Sequence, residues 1–405
     1  MNYIVFDLEW NQSPSGHYRE NAKIPFEILE IGAVKLNSHC KKIGEFHETI
    51  KPLVYRSMNK RTQDVIHIDF AALQKSRTFS PVARSFLQWI GDEEYMFVTW
   101  GPSDIFELER NMDYYRIPYD FPRPLFYYDL QKLYSLTYLD GKKRPALNEA
   151  VSALHLPEEM DYHSAYADAC YTAEVMRQMN LKPVLEYKSV DYYHLPADKD
   201  EEIFLHFSTY DKYVSMPYSS KEEALDNKTV SALKCTRCNL PMFNHVRWFA
   251  GSSGNLYYSL AQCPRHGYVK GKIRIRKAPG GQIYIVKTVK PATETDVADI
   301  RAKKESVKEK RHKRIEREKM RRRRKKEQEL GITAAEEGMS LTVRNAADAA
   351  AAEEQAAEAP LRAAAAAKKQ AAVQAQPDIC PAAGTEPETA PAKRRNFFWR
   401  KKARP

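Results

Sequence analysis

Apolar residues dominate NYIVFDL at residues 2–8 and EILEIGAVKL at 27–36, interleave with polar ones in IGEFHETIKP at 43–52, and return in YMFVTWG at 95–101. These four stretches predict strands. SPVARSFLQWI, SDIFELERNMDYY, ALNEAVSALHL and SAYADACYTAEVMRQM instead carry apolar residues at the three-to-four-residue spacing of amphipathic helices. Strands come first and helices then alternate with strands. That order predicts an α/β domain over residues 1–180, its mixed sheet beginning as an antiparallel meander and gaining later strands through helical crossovers.

The pattern changes after residue 180. Residues 181–202 mix aromatic and charged residues with two prolines and no period, which predicts a linker. A smaller module follows over 203–292, ending in YVKGKIRIRKAPGGQIYIVKTVK, two alternating runs around a turn signal that predict a β-hairpin. Residues 293–330 predict a charged, basic helix. Residues 331–405 are rich in Ala, Glu and Pro with almost no large apolar side chains before a basic-aromatic end, a composition expected to stay disordered.

Charge follows the same boundaries. The 405 residues carry a formal net charge of +11. By segment this is −1 for residues 1–300, +10 for 301–330, −5 for 331–392 and +7 for 393–405. The basicity is therefore confined to two C-terminal tracts. No run of about 18 apolar residues occurs, and the first charged residue, Asp7, precedes any stretch long enough for a signal-peptide core. The expectation is a soluble, cytoplasmic protein, with its six cysteines reduced.

Against the apolar pattern, two carboxylates in VFDLEW stand out. Side chains alternate along a strand, so Asp7 and Glu9 share one face while Phe6, Leu8 and Trp10 take the other. A lone D-x-E of this kind reads equally well as a strand end with solvated acids. Two more stretches bear on it. WGPSDIFEL puts Asp104 at the mouth of a helix directly after a strand, where loops commonly carry function. YHSAYADACYTAEV holds His163 and Asp168, which share a site most easily if His163 lies in the loop before the helix, with Ser164 as N-cap. Ala165, Ala169 and Ala173 would give that helix a slim face for close packing on the sheet.

Together, D-x-E in the first strand, Asp after W-G-x-x, and H-x-x-x-x-D near residue 168 resemble the DEDDh family of 3′–5′ exonucleases, which have a ribonuclease H-like fold. EILEIGAVKL, QDVIHID and PALNEAVSALHL also look like that family. The W-G-x-x-D form is similar to its KapD-like and Eri-like branch, many of whose members act on RNA. Trp10 departs from the small residue many members carry after the glutamate, and is a candidate for shaping the grip on the 3′ end. The resemblance implies two Mg²⁺ or Mn²⁺ ions, bridged by Asp7. Glu9 and Asp168 would help hold the nucleophile-side ion, and Asp104 the leaving-group ion, partly through water. His163 would be the general base. The chemistry suits these residue types: two divalent ions about 3.5–4 Å apart can activate water, stabilise the transition-state charge and support the leaving oxygen, and hard oxygen donors prefer such ions. The implied partner is a single-stranded nucleic-acid 3′ end, RNA favoured. A DNA exonuclease of proofreading or repair type, or a sporulation-related regulatory protein that uses the nuclease fold for binding, remain the alternatives.

Cys235-x-x-Cys238 and Cys263-x-x-His266 make two ligand pairs separated by 24 residues, spacing that predicts a zinc-ribbon-like module closed around one structural Zn²⁺. Cys40, Cys170 and Cys380 have no such spacing, and His245 is a possible competing ligand. In VKGKIRIRK, Lys270, Lys272, Arg274 and Arg276 fall on one strand face, a row of cations able to meet phosphates or simply to face water. The tract RHKRIEREKMRRRRKKEQEL is too basic to neutralise itself and reads as a nucleic-acid tether, while KRRNFFWRKKARP could stack on bases or adsorb to an anionic membrane surface.

Overall fold

In the computed structural model, residues 1–66, 68–329, 349–350 and 352 are described. The expected tail over 331–405, with Cys380 and the basic-aromatic end, lies almost wholly outside them. The chain divides into two compact units, Met1–Lys313 and Arg314–Pro405.

The first unit opens with β1 (Asn2–Gln12), β2 (Phe26–Leu36) and β3 (Lys42–Lys51), then α1 (Lys60–Val65), α2 (Phe70–Leu73), β4 (Arg77–Thr78) and α3 (Phe79–Ile90). It continues with β5 (Tyr95–Thr99), α4 (Ser103–Tyr114), β6 (Phe126–Asp129), α5 (Leu130–Tyr138), α6 (Leu147–Ala153), α7 (Ala165–Gln178) and β7 (Ser189–Val190). These strands form one mixed sheet in the order β4-β3-β2-β1-β5-β6-β7. The β1-β2-β3 meander is antiparallel, and β5 and β6 join in parallel through helical crossovers. Strict alternation splits β1 between two cores. Tyr3 and Val5 pack beneath α5, α6 and α7, whereas Ile4, Phe6 and Leu8 pack beneath α3 and α4. This is the mixed α/β fold with helices on both faces that the pattern predicts, with a ribonuclease H-like strand order.

A second, fully antiparallel sheet follows. Its strands are β8 (Ile203–His206), β9 (Asp211–Val214), β10 (Phe243–Ala250), β11 (Leu256–Cys263), β12 (Gly267–Lys277) and β13 (Ile283–Pro291), ordered β10-β11-β12-β13-β9-β8. Helices α8 (Lys221–Asp226) and α9 (Lys228–Ser231) connect β9 to the cysteine segment. The last helix, α10 (Glu294–Glu329), starts against this sheet, where Val297 and Ile300 pack on Val246 and Leu260, and thereafter carries an almost entirely exposed, charged surface.

Residues 181–202, expected as a linker, are packed against the sheets: Val184, Tyr187 and Val190 are buried, and β7 pairs antiparallel with β6 at the edge of the first sheet. An unpaired edge and an apolar flank have to be covered, and Tyr187, stacked with Tyr210 and close to Phe207, carries that cover into the second sheet. Val190, Ile203, Val214, Tyr284 and Val286 complete an apolar seam between the two sheets.

Candidate functional site

Pairing between β1 and β5 stops at Val5–Val98, so β1 runs on past the end of β5 and its open flank faces the turn that leads into α4. Asp7 and Glu9 lie on this extension. Asp104, in the first turn of α4 and only 5% exposed, sets its carboxylate beside β1, where the backbone N–H of Leu8 favours its charged form. The site thus forms outside the carboxyl ends of parallel strands, where open α/β sheets bind their ligands.

The third side comes from α7. Asp7 stands opposite Gly32 in the β1–β2 register. Because Gly32 has no side chain, the backbone of Ala165 and Tyr166 sits directly on it: a Cβ there would lie 2.1 Å from the Tyr166 N. Ala165, Ala169 and Ala173, all buried, line the same helix face. Asp168 is thereby carried to β1, and the ligand atoms of Glu9, His163 and Asp168 lie within 4.8 Å of one another. His163 is exposed and precedes the helix, with φ +68° in the left-handed region that few non-glycine residues adopt. Its backbone N–H donates to Asp168 Oδ2 at 3.4 Å.

Ser164 occupies the N-cap position but does not cap. Its hydroxyl donates instead to Glu30 Oε1 at 2.9 Å. Glu30, 2% exposed, also takes His47 Nε2 at 2.8 Å, and the His47 ring stacks on Tyr166. This fifth carboxylate ties β2 and β3 to the start of α7. Sequence reasoning assigned no role to Glu30, His47 or Gly32. The available signals were an acid in an otherwise apolar strand and a glycine inside one, which marks close backbone approach.

Electrostatics make the cluster self-repelling. Burial raises Asp7 well above the usual carboxylate range, and Asp104, Glu9, Asp168 and Glu30 add to it. Glu9 is pushed up to about 8 by burial and then by Asp168, Glu30 and Asp104. Asp104 rises to about 7, burial outweighing the N–H groups that hold its carboxylate, and Asp168 to about 6, again by burial against the His163 N–H. Glu30 goes the other way, since His47 and Ser164 together outweigh its burial. Asp168 Oδ1 is buried with no hydrogen-bond partner. A set of hard oxygen donors that cannot all ionise together, one of them orphaned, fits divalent cations of the Mg²⁺ or Mn²⁺ type. Trp10 is not brought into this cluster. It follows a β-bulge at Glu9 and packs against the α3/α4 core and edge-on to Phe26.

In the second sheet, Cys235, Cys238, Cys263 and His266 converge with their ligand atoms all within 4.8 Å. Asn239 and Gly267, both at positive φ, close the two turns that present them. Although burial pushes the Cys263 thiol up, the N–H groups of Arg265 and His266 and the His266 ring bring it down to about 6. Three thiols and one imidazole in closed array match the donor set of a tetrahedral Zn²⁺ site. His245 is elsewhere, bonded to Arg301 and edge-on to Tyr268. Cys40 and Cys170 are half-buried and outside both clusters. Along β12 the four cations do share a face, but Lys270 is paired with Asp296 and Lys272 is half-buried, which leaves Arg274 and Arg276 exposed. No helix among the described residues is long and apolar enough to cross a membrane.

No curated protein matches the chain. Among solved structures it is similar to a full-length 3′-exonuclease (17% identity over 45% of this chain and 82% of that one, TM-score 0.39). It is also similar to the nuclease domain of 3′hExo, a DEDDh family member, bound to rAMP (18%, 47% and 96%, 0.40). A third is a 3′-exonuclease described by its 3′-end-specific recognition of a histone mRNA stem-loop (17%, 48% and 72%, 0.39). The model of the family described as RNase_T, exonuclease, matches residues 4–176, the stretch that contains Asp7, Glu9, Asp104, His163 and Asp168. Over that stretch, somewhat under half of its length, the chain is similar to exonucleases of the RNase_T family.

Proposed function

We propose that the protein is a metal-dependent 3′–5′ exonuclease acting on single-stranded 3′ ends, RNA in preference to DNA, in the cytoplasm. The observation that carries the reading is the convergence of Asp7, Glu9, Asp104 and Asp168 with His163 at the open end of β1. In this reading the four carboxylates hold two Mg²⁺ or Mn²⁺ ions, which would supply charge stabilisation and a more acidic bound water. His163 accepts the proton of the attacking water; it is exposed enough to reach it, and its main-chain bond to Asp168 keeps it beside the carboxylates. An imidazole is suited to that task near neutral pH. Glu30 holds the start of α7 so that His163 and Asp168 stay in place. The RNA preference rests on the W-G-x-x-D resemblance alone.

The domain plan follows: an exonuclease domain over 1–180, a β module over 203–292 whose Cys235, Cys238, Cys263 and His266 bind one structural Zn²⁺, and the basic helix as a tether for nucleic acid. Four protein ligands leave that ion no open position, so its contribution is to folding.

The test uses 5′- and 3′-labelled RNA and DNA, single- and double-stranded, with Mg²⁺, Mn²⁺ or neither. Stepwise loss from the 3′ end of single strands that requires metal and disappears in Asp7→Asn is the expected result. Digestion from the 5′ end, or activity retained by Asp7→Asn, would overturn the reading.

A further inference from the structure

A cleft of about 1190 Å³ separates the outer face of α4 from the exposed end of β12. Phe106, Arg110 and Tyr193 line one side, Arg274, Arg276 and Tyr284 the other. Phe106 and Tyr193 are half-buried and meet edge to face at 5.1 Å, leaving ring surface toward the cleft. Arg110 is already committed, its Nη1 donating to both Glu107 carboxylate oxygens at 2.9 and 3.0 Å and its guanidinium set over the Phe106 ring. Arg274 and Arg276 are different. They are exposed, and neither has an ion-pair or hydrogen-bond partner among the described residues. They lie two residues apart on one strand face, hence about 6.6 Å apart along it.

Like charges accumulate along this wall, and Asp113 is the one acid among the residues that line the cleft. Lys212 is pushed down to about 8 by burial and then by Arg274, and Lys272 is lowered by burial and then by Arg274. Such a row is stable only when anions or water screen it. A row of unpaired cations facing half-buried aromatic rings is the surface chemistry that binds single-stranded nucleic acid, the cations meeting phosphates and the rings meeting bases. A folded protein partner would require complementary acids against the arginines, whereas a nucleic-acid strand brings its phosphates with it. Asp104 opens α4 and Arg110 stands about 9 Å further along its axis, so the cleft runs beside the helix that starts at the carboxylate cluster.

We propose that this cleft holds the part of a single-stranded nucleic acid that lies upstream of the terminus being hydrolysed, with phosphates on Arg274 and Arg276 and bases against Phe106 and Tyr193. The choice of ligand rests on the exonuclease reading. The β module then acts as the second wall of the substrate track.

Two measurements on the full chain test this. Fluorescence anisotropy with labelled 20-nucleotide RNA and DNA, without added Mg²⁺, compares wild type with Arg274→Glu/Arg276→Glu and with Arg274→Lys/Arg276→Lys. The glutamate pair should weaken binding at least about 10-fold and lower the salt slope by about 1.4, two single-strand phosphate contacts. The lysine pair should stay within about threefold. Ultraviolet cross-linking mapped by mass spectrometry should place adducts on Phe106 or Tyr193. Unchanged affinity of the glutamate pair, or adducts confined to residues 301–405, would overturn the cleft. A preference for RNA or DNA in the two arms identifies the ligand. A wild type that cross-links here yet hydrolyses no 3′ end removes the exonuclease reading and leaves the cleft standing.

Discussion

A methyl group at position 32 tests how the candidate site is assembled without touching any group proposed for chemistry. In Gly32→Ala the new Cβ would stand 2.1 Å from Tyr166 N, 2.2 Å from the Ala165 carbonyl carbon and 2.3 Å from the Tyr166 Cα. All three are backbone atoms of α7, so no rotamer change relieves the contact. Real Cβ atoms essentially never approach closer than 3.0 Å, so the start of α7 must retreat by about 0.9 Å or more. Overpacking of this kind costs about 1–3 kcal/mol, or a melting temperature lower by about 4–8 °C for 2 kcal/mol in a domain of this size. The loss in rate should be larger in proportion. His163 and Asp168 ride on the displaced segment, and a misplacement of about 1 Å can cost about 10²-fold. Gly44→Ala is the matched control: its Cβ would meet Trp89 at 3.6 Å and the Lys35 Cβ at 3.7 Å, ordinary van der Waals contacts, so rate and melting should stay near wild type. The assay pairs single-turnover hydrolysis of a 3′-labelled strand with thermal melting. A Gly32→Ala protein that cleaves within twofold of wild type and melts with it would refute the close-packing argument.

Asp7→Asn should reduce hydrolysis by on the order of 10³-fold or more, yet leave the metal-free melting temperature unchanged or higher, because one member of a self-repelling cluster is gone; a lower melting point would show Asp7 to be structural. Glu109 is wholly buried beside Asp191, with Arg123 and His194 no closer than 3.7 and 3.6 Å. Burial, then Asp191, push it up to about 9 from 4.5, despite Arg123. The native state therefore keeps a proton that the unfolded chain releases, and stability falls as pH rises between those values, by on the order of 3 kcal/mol at pH 7. Glu109→Gln should be more stable than wild type by a margin that widens from pH 5 to pH 8 in denaturant titrations; a constant margin would contradict the assignment. Elemental analysis should find one zinc per chain, lost in Cys235→Ser together with the cooperative melting of residues 203–292; zinc retained in full by that variant would reject the four-ligand site.

Local features of the exonuclease domain were legible from residue order. Periods of two and of three to four residues follow from backbone geometry alone, so β2, β3, β5, α3, α4 and α7 fall within a residue or two of the expected stretches, while β1 runs four residues further and α6 stops three residues earlier. The five residues proposed for the site stood out because their types are costly in an apolar setting and recur in the order of the family the chain resembles. The packing of residues 181–202 was not legible, because what orders them is the β6 edge they cover, and nothing in their own spacing records it.

Chain order alone determined the composition of the site: which acids, which histidine, which cysteine pairs. Only the tertiary structure decided their meeting. Asp7, Asp104 and Asp168 lie far apart in the chain and converge because β1 outruns β5 while α7 closes onto Gly32. The same long-range packing recruits Glu30 to anchor α7 and turns Trp10 away. It also sets two arginines of β12 across from the aromatic face of α4. Periodicity is written in neighbouring residues, whereas strand order and close approach depend on surfaces that exist only once the sheet has formed.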